Sequence, residues 1–156
     1  MPVVSAQVVV QVEPEVAFAV SQTTGALRLR WDPFIRRQYF LDGATSPGKG
    51  VRTFTMHRWG ARMVSEYVSY APPRNVGMKM ITGPWFFRMM AGGWRFEPAG
   101  PGRTRATWKY SFSCRPVWLA GVAERIGTWV LDREIRRRID AFAAGCEDPE
   151  VLSGML

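Results

Sequence analysis

Tyr67, Ser65 and Arg52 are the residues of this chain whose types and placement could do chemistry. A phenol donates or accepts a proton, a guanidinium steadies a developing anion, and a hydroxyl orients either. The reference phenol titrates near ~10, so Tyr67 is a proton donor unless its value is lowered. His57 is the only histidine, which removes histidine-based metal clusters and paired-histidine relays. No GxSxG, P-loop or GxGxxG pattern occurs. Gly43 to Gly50 has the composition of a turn, without the spacing or following helix of a phosphate loop. No cofactor or metal is called for.

These residues need strands to carry them. Val3 to Val12 is β-branched with partial alternation and predicts a strand. Pro14 and the acids beside it open a short helix, which Gly25 ends. A second helical turn spans Ala26 to Arg30, before Trp31-Asp32-Pro33. Six strands follow at short turns: Phe34–Leu41, Val51–Trp59, Arg62–Ala71, Val76–Thr82, Trp85–Glu97 and Arg103–Arg115. Short turns make neighbours antiparallel. A bulge is expected at Gly92-Gly93. Pro116 opens a long helix to about Ala144, with Trp118, Val122, Ile126, Trp129, Ile135 and Phe142 at helical spacing. The expected fold is α+β: a seven-stranded curved antiparallel sheet around a long C-terminal helix. Two short helices follow its first strand. Residues 1–146 form a single ligand-binding domain, and residues 147–156 a flexible tail.

Alternation assigns the faces. A two-residue loop at Gly60-Ala61 pairs Phe54 with Tyr67, Met56 with Ser65 and Arg52 with Ser69. This set faces inward, and His57 faces outward within diagonal reach of Glu66. A one-residue change in loop length would exchange the faces. Trp94 and Phe96 point inward, as do Met78 and Met80. Thr104, Ala106, Trp108, Tyr110, Phe112 and Cys114 alternate with polar residues and face the same way. An apolar face with a few converging polar groups is how small-molecule pockets are lined. The expected cavity residues are Phe54, Met56, Ser65, Met78, Met80, Trp94, Trp108 and Tyr110, with Trp31 beside them. Arg52 and Tyr67 are the candidate catalytic pair.

Composition narrows the partners. The chain has 156 residues, 21 Lys+Arg against 13 Asp+Glu, and a net charge of +8. Lys49, Lys79 and Lys109 are its only lysines. The cluster Arg133, Arg136, Arg137 and Arg138 is interleaved with Asp132, Glu134 and Asp140. Mixed signs read as a solvated face, and nucleic-acid or ribosome contact is the minor reading. Cys114 and Cys146 lack metal or disulfide-framework spacing. No basic-then-apolar leader is visible and no apolar run spans a bilayer, so a cytoplasmic location is the default expectation.

Pro14-Glu15-Val16-Ala17-Phe18, Trp31-Asp32-Pro33, and Gly102 to Trp108 entering the last strand resemble the SRPBCC, or START-like, helix-grip superfamily. Thr55-Met56-His57, Val64-Ser65-Glu66 and Thr82-Gly83-Pro84 resemble its polyketide cyclase/dehydrase branch. The resemblance implies a hydrophobic, polyketide-, quinone- or lipid-like ligand in an internal cavity. It also implies aldol condensation and aromatisation as a possible activity, and a polyketide synthase carrier protein as a possible partner. That branch places a pocket arginine directly after the Ser-Glu pair, where this chain has Tyr67. Arg52 on the neighbouring strand is the substitute cation. A ribosome- or membrane-associated regulator without chemistry is the third reading.

Overall fold

The computed structural model describes residues 1–155. Leu156, the last residue of the expected tail, lies outside them. β1 (Val3–Val10) is followed by α1 (Pro14–Ser21) and α2 (Gly25–Trp31). Then come β2 (Ile35–Phe40), β3 (Arg52–His57), β4 (Arg62–Ala71), β5 (Asn75–Thr82), β6 (Phe87–Pro98) and β7 (Thr104–Cys114). A single 3-10 turn, Val117–Leu119, leads into α3 (Ala120–Glu147), and α4 (Pro149–Gly154) follows. The seven strands form one antiparallel sheet in the order β1-β7-β6-β5-β4-β3-β2. The expected fold class is the observed one.

Pro14 sits at the first turn of α1, where a missing N–H costs nothing, and the Glu13 carbonyl accepts from Val16 and Ala17. β7 lies between β1 and β6. Its inward residues Ala106, Trp108, Tyr110 and Phe112 are all buried, as their alternation predicts. Gly92 and Gly93 stay in register opposite Tyr110 and Lys109, and the irregularity falls instead between Phe87 and Met89. The glycines serve close approach. A Cβ on Gly93 would stand 2.5 Å from the Val76 carbonyl oxygen.

The β3–β4 hairpin differs from expectation. His57 N–H donates to Ala61 O, and Gly60 N–H donates to His57 O. The loop is therefore three residues, Arg58-Trp59-Gly60, with Gly60 at φ 95°. A turn followed by a left-handed glycine is the common three-residue hairpin. The extra residue moves the pairing to Thr53↔Ser65, Thr55↔Met63 and Arg52↔Glu66. Because side chains alternate, this odd shift exchanges the faces of β3 while β4 keeps its own. Thr53, Thr55 and His57 turn inward; Arg52, Phe54 and Met56 turn outward.

α3 packs on β1 and β7, beginning at Gly127, where a Cβ would stand 2.8 Å from the Phe112 ring. Leu131, Ile135, Arg138, Ile139, Phe142 and Cys146 form its buried stripe. Phe142 packs against Trp94, Phe96 and Trp31, with ring centroids 4.5–6.2 Å apart. The expected tail is helical: Asp148 accepts from Glu150 N–H at the start of α4, and Val151 is fully buried. Arg30 ties α4 to α2 through Asp148 at 2.7 Å and Glu150 at 2.9 Å.

Candidate functional site: a two-chambered cavity with a charged floor

Between the sheet and α3 lie two adjacent spaces. The outer chamber, about 500 Å³, opens between the turns at Trp59 and Phe86 and the α3 residues Ile126 and Val130. The inner chamber, about 100 Å³, lies deeper, under α1 and α2. Phe34, Thr55, Met63 and Met90 line both and stand between them. Together the volumes fall in the ~300–1,000 Å³ range of small-molecule sites.

Ser65, Tyr67, Met78, Met80, Trp94, Trp108 and Tyr110 line the inner chamber. These are the expected residues of β4, β5, β6 and β7. The remaining expectations are corrected. Arg52 is on the outer face, its side chain 49% exposed, 3.7 Å from Glu66. Phe54 stacks on Tyr39 outside the cavity, at 4.9 Å. Met56 shares that outer face, opposite Arg37 and Arg62. All three follow from the longer hairpin loop. Trp31 is buried in the core rather than the cavity. It ends α2 against α3, where a Cβ on Gly145 would come within 2.9 Å of it, and its Nε1 donates to Thr23 Oγ1.

The inner chamber ends in a cluster the sequence reading missed. Asp32 is fully buried and its carboxylate is saturated. Oδ2 accepts from Arg28 Nε at 2.8 Å, from Arg138 Nη2 at 2.9 Å and from Arg138 Nε at 3.2 Å. Oδ1 accepts from Phe34 N–H at 3.0 Å. Arg138 Nη1 donates to the Tyr110 hydroxyl at 2.7 Å. The Arg138 guanidinium also lies 4.8 Å from the rings of both Phe34 and Trp108. Arg28 Nη1 donates to the carbonyls of Ser21 and Thr23. Arg138 is therefore not part of the solvated arginine face. It occupies the apolar stripe, three residues after Ile135 and four before Phe142.

Two guanidinium groups and one carboxylate leave one positive charge in excess. Arginine keeps its proton in proteins, so that charge persists. Arg28 and Arg138 both line the chamber; Asp32 does not. Each guanidinium has five N–H donors. Both hydrogens on Arg28 Nη2 and one on each terminal nitrogen of Arg138 have no acceptor among the described residues. Trp108 Nε1–H is buried beside the Tyr110 hydroxyl without a well-aligned hydrogen bond. Tyr110 accepts from Arg138 and so keeps its own proton to donate. Burial, only partly opposed by Arg138, raises its acid value. Tyr67 is pushed up to about 12, chiefly by burial, and its hydroxyl is paired with Gln22 Oε1 at 3.2 Å. Both phenols are donors at neutral pH and neither is a base. No Asp, Glu or His lines this chamber among the described residues. Its floor is a field of unused donors around a net positive charge.

The outer chamber holds the acid and the imidazole. His57 faces inward, 3.8 Å from Glu134 Oε2 rather than beside Glu66. Its Nδ1 accepts from Trp59 N–H, which places the proton of the neutral ring on Nε2, toward Glu134. Burial, partly offset by Glu134, holds His57 below its ordinary 6.5. Arg58 Nη2 donates to Glu134 Oε1 at 3.2 Å. No group of three or more His, Cys, Asp or Glu side chains is placed to hold a metal ion among the described residues.

The buried cluster makes stability pH-dependent. Burial alone would raise Asp32, but Arg138 and Arg28 hold it below its ordinary 3.8. A depressed carboxylate stabilises fully above its unfolded value and loses that contribution as pH falls toward its folded one. His57 acts in the same direction from 6.5 downward, weakly because it is only half-buried. Thermal unfolding should therefore show a shallow decline below pH 6.5 and a steep one below pH 3.8. An Asp32→Asn variant should lack part of the steep limb. Parallel acid limbs in the two proteins would refute this assignment.

A curved antiparallel sheet gripping a long C-terminal helix over an internal cavity defines a START-like, helix-grip protein. The chain belongs to the polyketide cyclase / dehydrase and lipid transport family, whose model matches residues 1–147. No curated protein matches it in sequence. Among solved structures, the Zhui aromatase/cyclase from Streptomyces sp. R1128 superposes with a TM-score of 0.78 at 17% identity, covering 94% of this chain and 93% of that one. XoxI from Bacillus cereus gives 0.76 at 12% identity, covering 96% and 99%. A START superfamily protein from Mycobacterium smegmatis gives 0.73 at 14%, covering 93% and 97%.

Proposed function

We propose that the cavity binds an apolar, aromatic small molecule bearing an acidic or enolic oxygen at one end. The observation that carries this is the floor, where two guanidinium groups offer unpaired donors, no carboxylate lines the chamber and one positive charge is in excess. The unpaired guanidinium donors call for an oxygen that accepts, and the surplus charge favours an anionic one. Low polarity around the floor strengthens that preference. The inner chamber is large enough for about one ring, and the outer chamber for the apolar remainder. Family membership supports a ligand of polyketide, quinone or lipid type. Native mass spectrometry against an aromatic polyketide, a neutral quinone and a fatty acid is the first test. The polyketide should be retained most strongly. Retention of none would remove the binding reading.

A second reading is cyclase chemistry, favoured by the same floor. Arg138, Arg28 and Tyr110 are arranged to hold an enolate oxygen, as preorganised donors do where charge develops. Arg52 takes no part in this version, because it lies outside the cavity. The groups that could move a proton are Glu134 and His57, at the outer chamber. An Arg138→Met variant that binds substrate yet changes the product profile would favour it. Product formation at an unaltered rate and profile in Glu134→Gln and His57→Gln would exclude those two as proton carriers.

A further inference from the structure

The cavity mouth is ringed by large apolar side chains that nothing covers. Trp118 is 81% exposed, Trp59 76%, Trp85 71% and Trp129 63%. They come from three places in the chain: the β3–β4 turn, the β5–β6 turn and the first turns of the C-terminal helical segment. Trp59, Phe86, Ile126 and Val130 border the outer chamber itself, so these three segments meet at one rim. Val117, Val122 and Ile126 extend the same surface along the helix, each more than half exposed. Isolated exposed apolar residues need no explanation, but a contiguous patch marks an interaction surface. The sequence reading counted this half of α3 as sheet cover; the structure leaves its outer face bare.

The patch is layered. From Trp118 in the 3-10 turn along the outer face of α3, apolar Val122, Ile126 and Trp129 give way to Arg133, Arg136 and Arg137, all exposed. The Arg133 guanidinium lies 5.0 Å from the Trp129 ring. Arg62 and Arg88 stand exposed beside the two turns, and Arg115 holds the Trp85 and Phe87 carbonyls. Asp132 pairs with Arg136 at 3.0 Å and Glu134 lies 3.9 Å from Arg137, so the charge without an ion pair among the described residues rests on Arg133, Arg62 and Arg88.

We propose that this pole docks on an anionic lipid surface, with the cavity mouth facing the bilayer. Tryptophans would enter the headgroup boundary and the arginines behind them would meet lipid phosphates. That order, apolar tip and then basic belt, matches the layers of a membrane interface, where Trp is enriched. The net charge of +8 acts in the same sense. A second copy of the chain fits less well, because a two-fold contact would set the same arginines against each other. No described helix is long and apolar enough to cross a membrane, so the contact is peripheral. The surface does not depend on what the cavity holds.

The test is sedimentation of the full chain with phosphatidylcholine vesicles, with and without phosphatidylglycerol. The protein should pellet with the anionic vesicles and remain free with the neutral ones. A Trp118→Ser/Trp129→Ser double variant should lose at least ~10-fold in partitioning, about 1.4 kcal/mol. Its unfolding temperature should be unchanged, because both side chains are exposed. Neither lines the cavity, so binding of small ligands in solution should persist, which separates failure here from failure of the ligand reading. An Arg133→Gln/Arg136→Gln variant should lose the preference for anionic lipid. Absence of pelleting with either vesicle would overturn the proposal. So would a dimer that the tryptophan variant dissolves, or capture by an acidic carrier protein without lipid binding.

Discussion

Replacing Asp32 by alanine should destabilise the protein by about 3–5 kcal/mol, the cost of breaking a buried ion pair and leaving charge uncompensated. In this chain the residue left behind is doubly unfavourable. Arg28 and Arg138 would remain together in the core with no counter-ion, each at most 7% exposed. Four hydrogen bonds to the carboxylate would vanish at once. For a domain of this size 1 kcal/mol moves the midpoint by ~2–4 °C, so a fall of roughly 6–20 °C is expected in calorimetry. Asp32→Asn should cost less, since the amide oxygen still accepts. A loss below about 1 kcal/mol in the alanine variant would mean that water reaches the cluster and the floor is not dry.

Replacing Arg138 by methionine should behave in the opposite way. Asp32 keeps Arg28 at 2.8 Å, so the remaining pair is neutral and no charge is stranded. Methionine has similar reach and suits the rings of Phe34 and Trp108, which now flank the guanidinium. The expected stability loss is under about 2 kcal/mol, mainly from unpaired acceptors at Asp32 and Tyr110. The effect on binding should be larger. A hydrogen bond to a charged group contributes about 1.5–3 kcal/mol, so an acidic ligand should lose roughly 10–100-fold in affinity. A neutral analogue of equal size should change little. Equal losses for both ligands would show that Arg138 shapes the cavity without reading charge.

The contrast between these variants comes from residues whose roles the sequence showed unevenly. β7 could be read in full: it is flanked on both sides, and five alternating apolar residues leave one choice of face. β3 could not, because its face depends on whether Gly60 begins a two-residue loop or ends a three-residue one. Gly60 at φ 95° selects the latter, and Arg52, Phe54 and Met56 leave the cavity together. Asp32 was visible only as part of a short motif. Its i,i+4 spacing from Arg28 was a signal for a pair, but Arg138 lies 106 residues away and only the fold joins them. Arg138 itself was hidden by its neighbours. Three other arginines within five positions suggested a solvated face, whereas its distances from Ile135 and Phe142 placed it on the buried stripe. Trp31 was misplaced because aromatic content alone does not separate core from lining. Gly145, which admits Trp31 against α3, was the relevant partner.

The account stands on the claim that the cavity floor selects an anionic oxygen. Calorimetric titration of the protein with a hydroxylated naphthalene carboxylic acid and with its methyl ester tests that claim most directly. The two differ in charge at one end and little in size, so apolar burial is nearly matched. The carboxylate should bind at least ~10-fold tighter at neutral pH, and the difference should disappear in Arg138→Met. An ester that binds as well as the carboxylate, or better, would contradict the account.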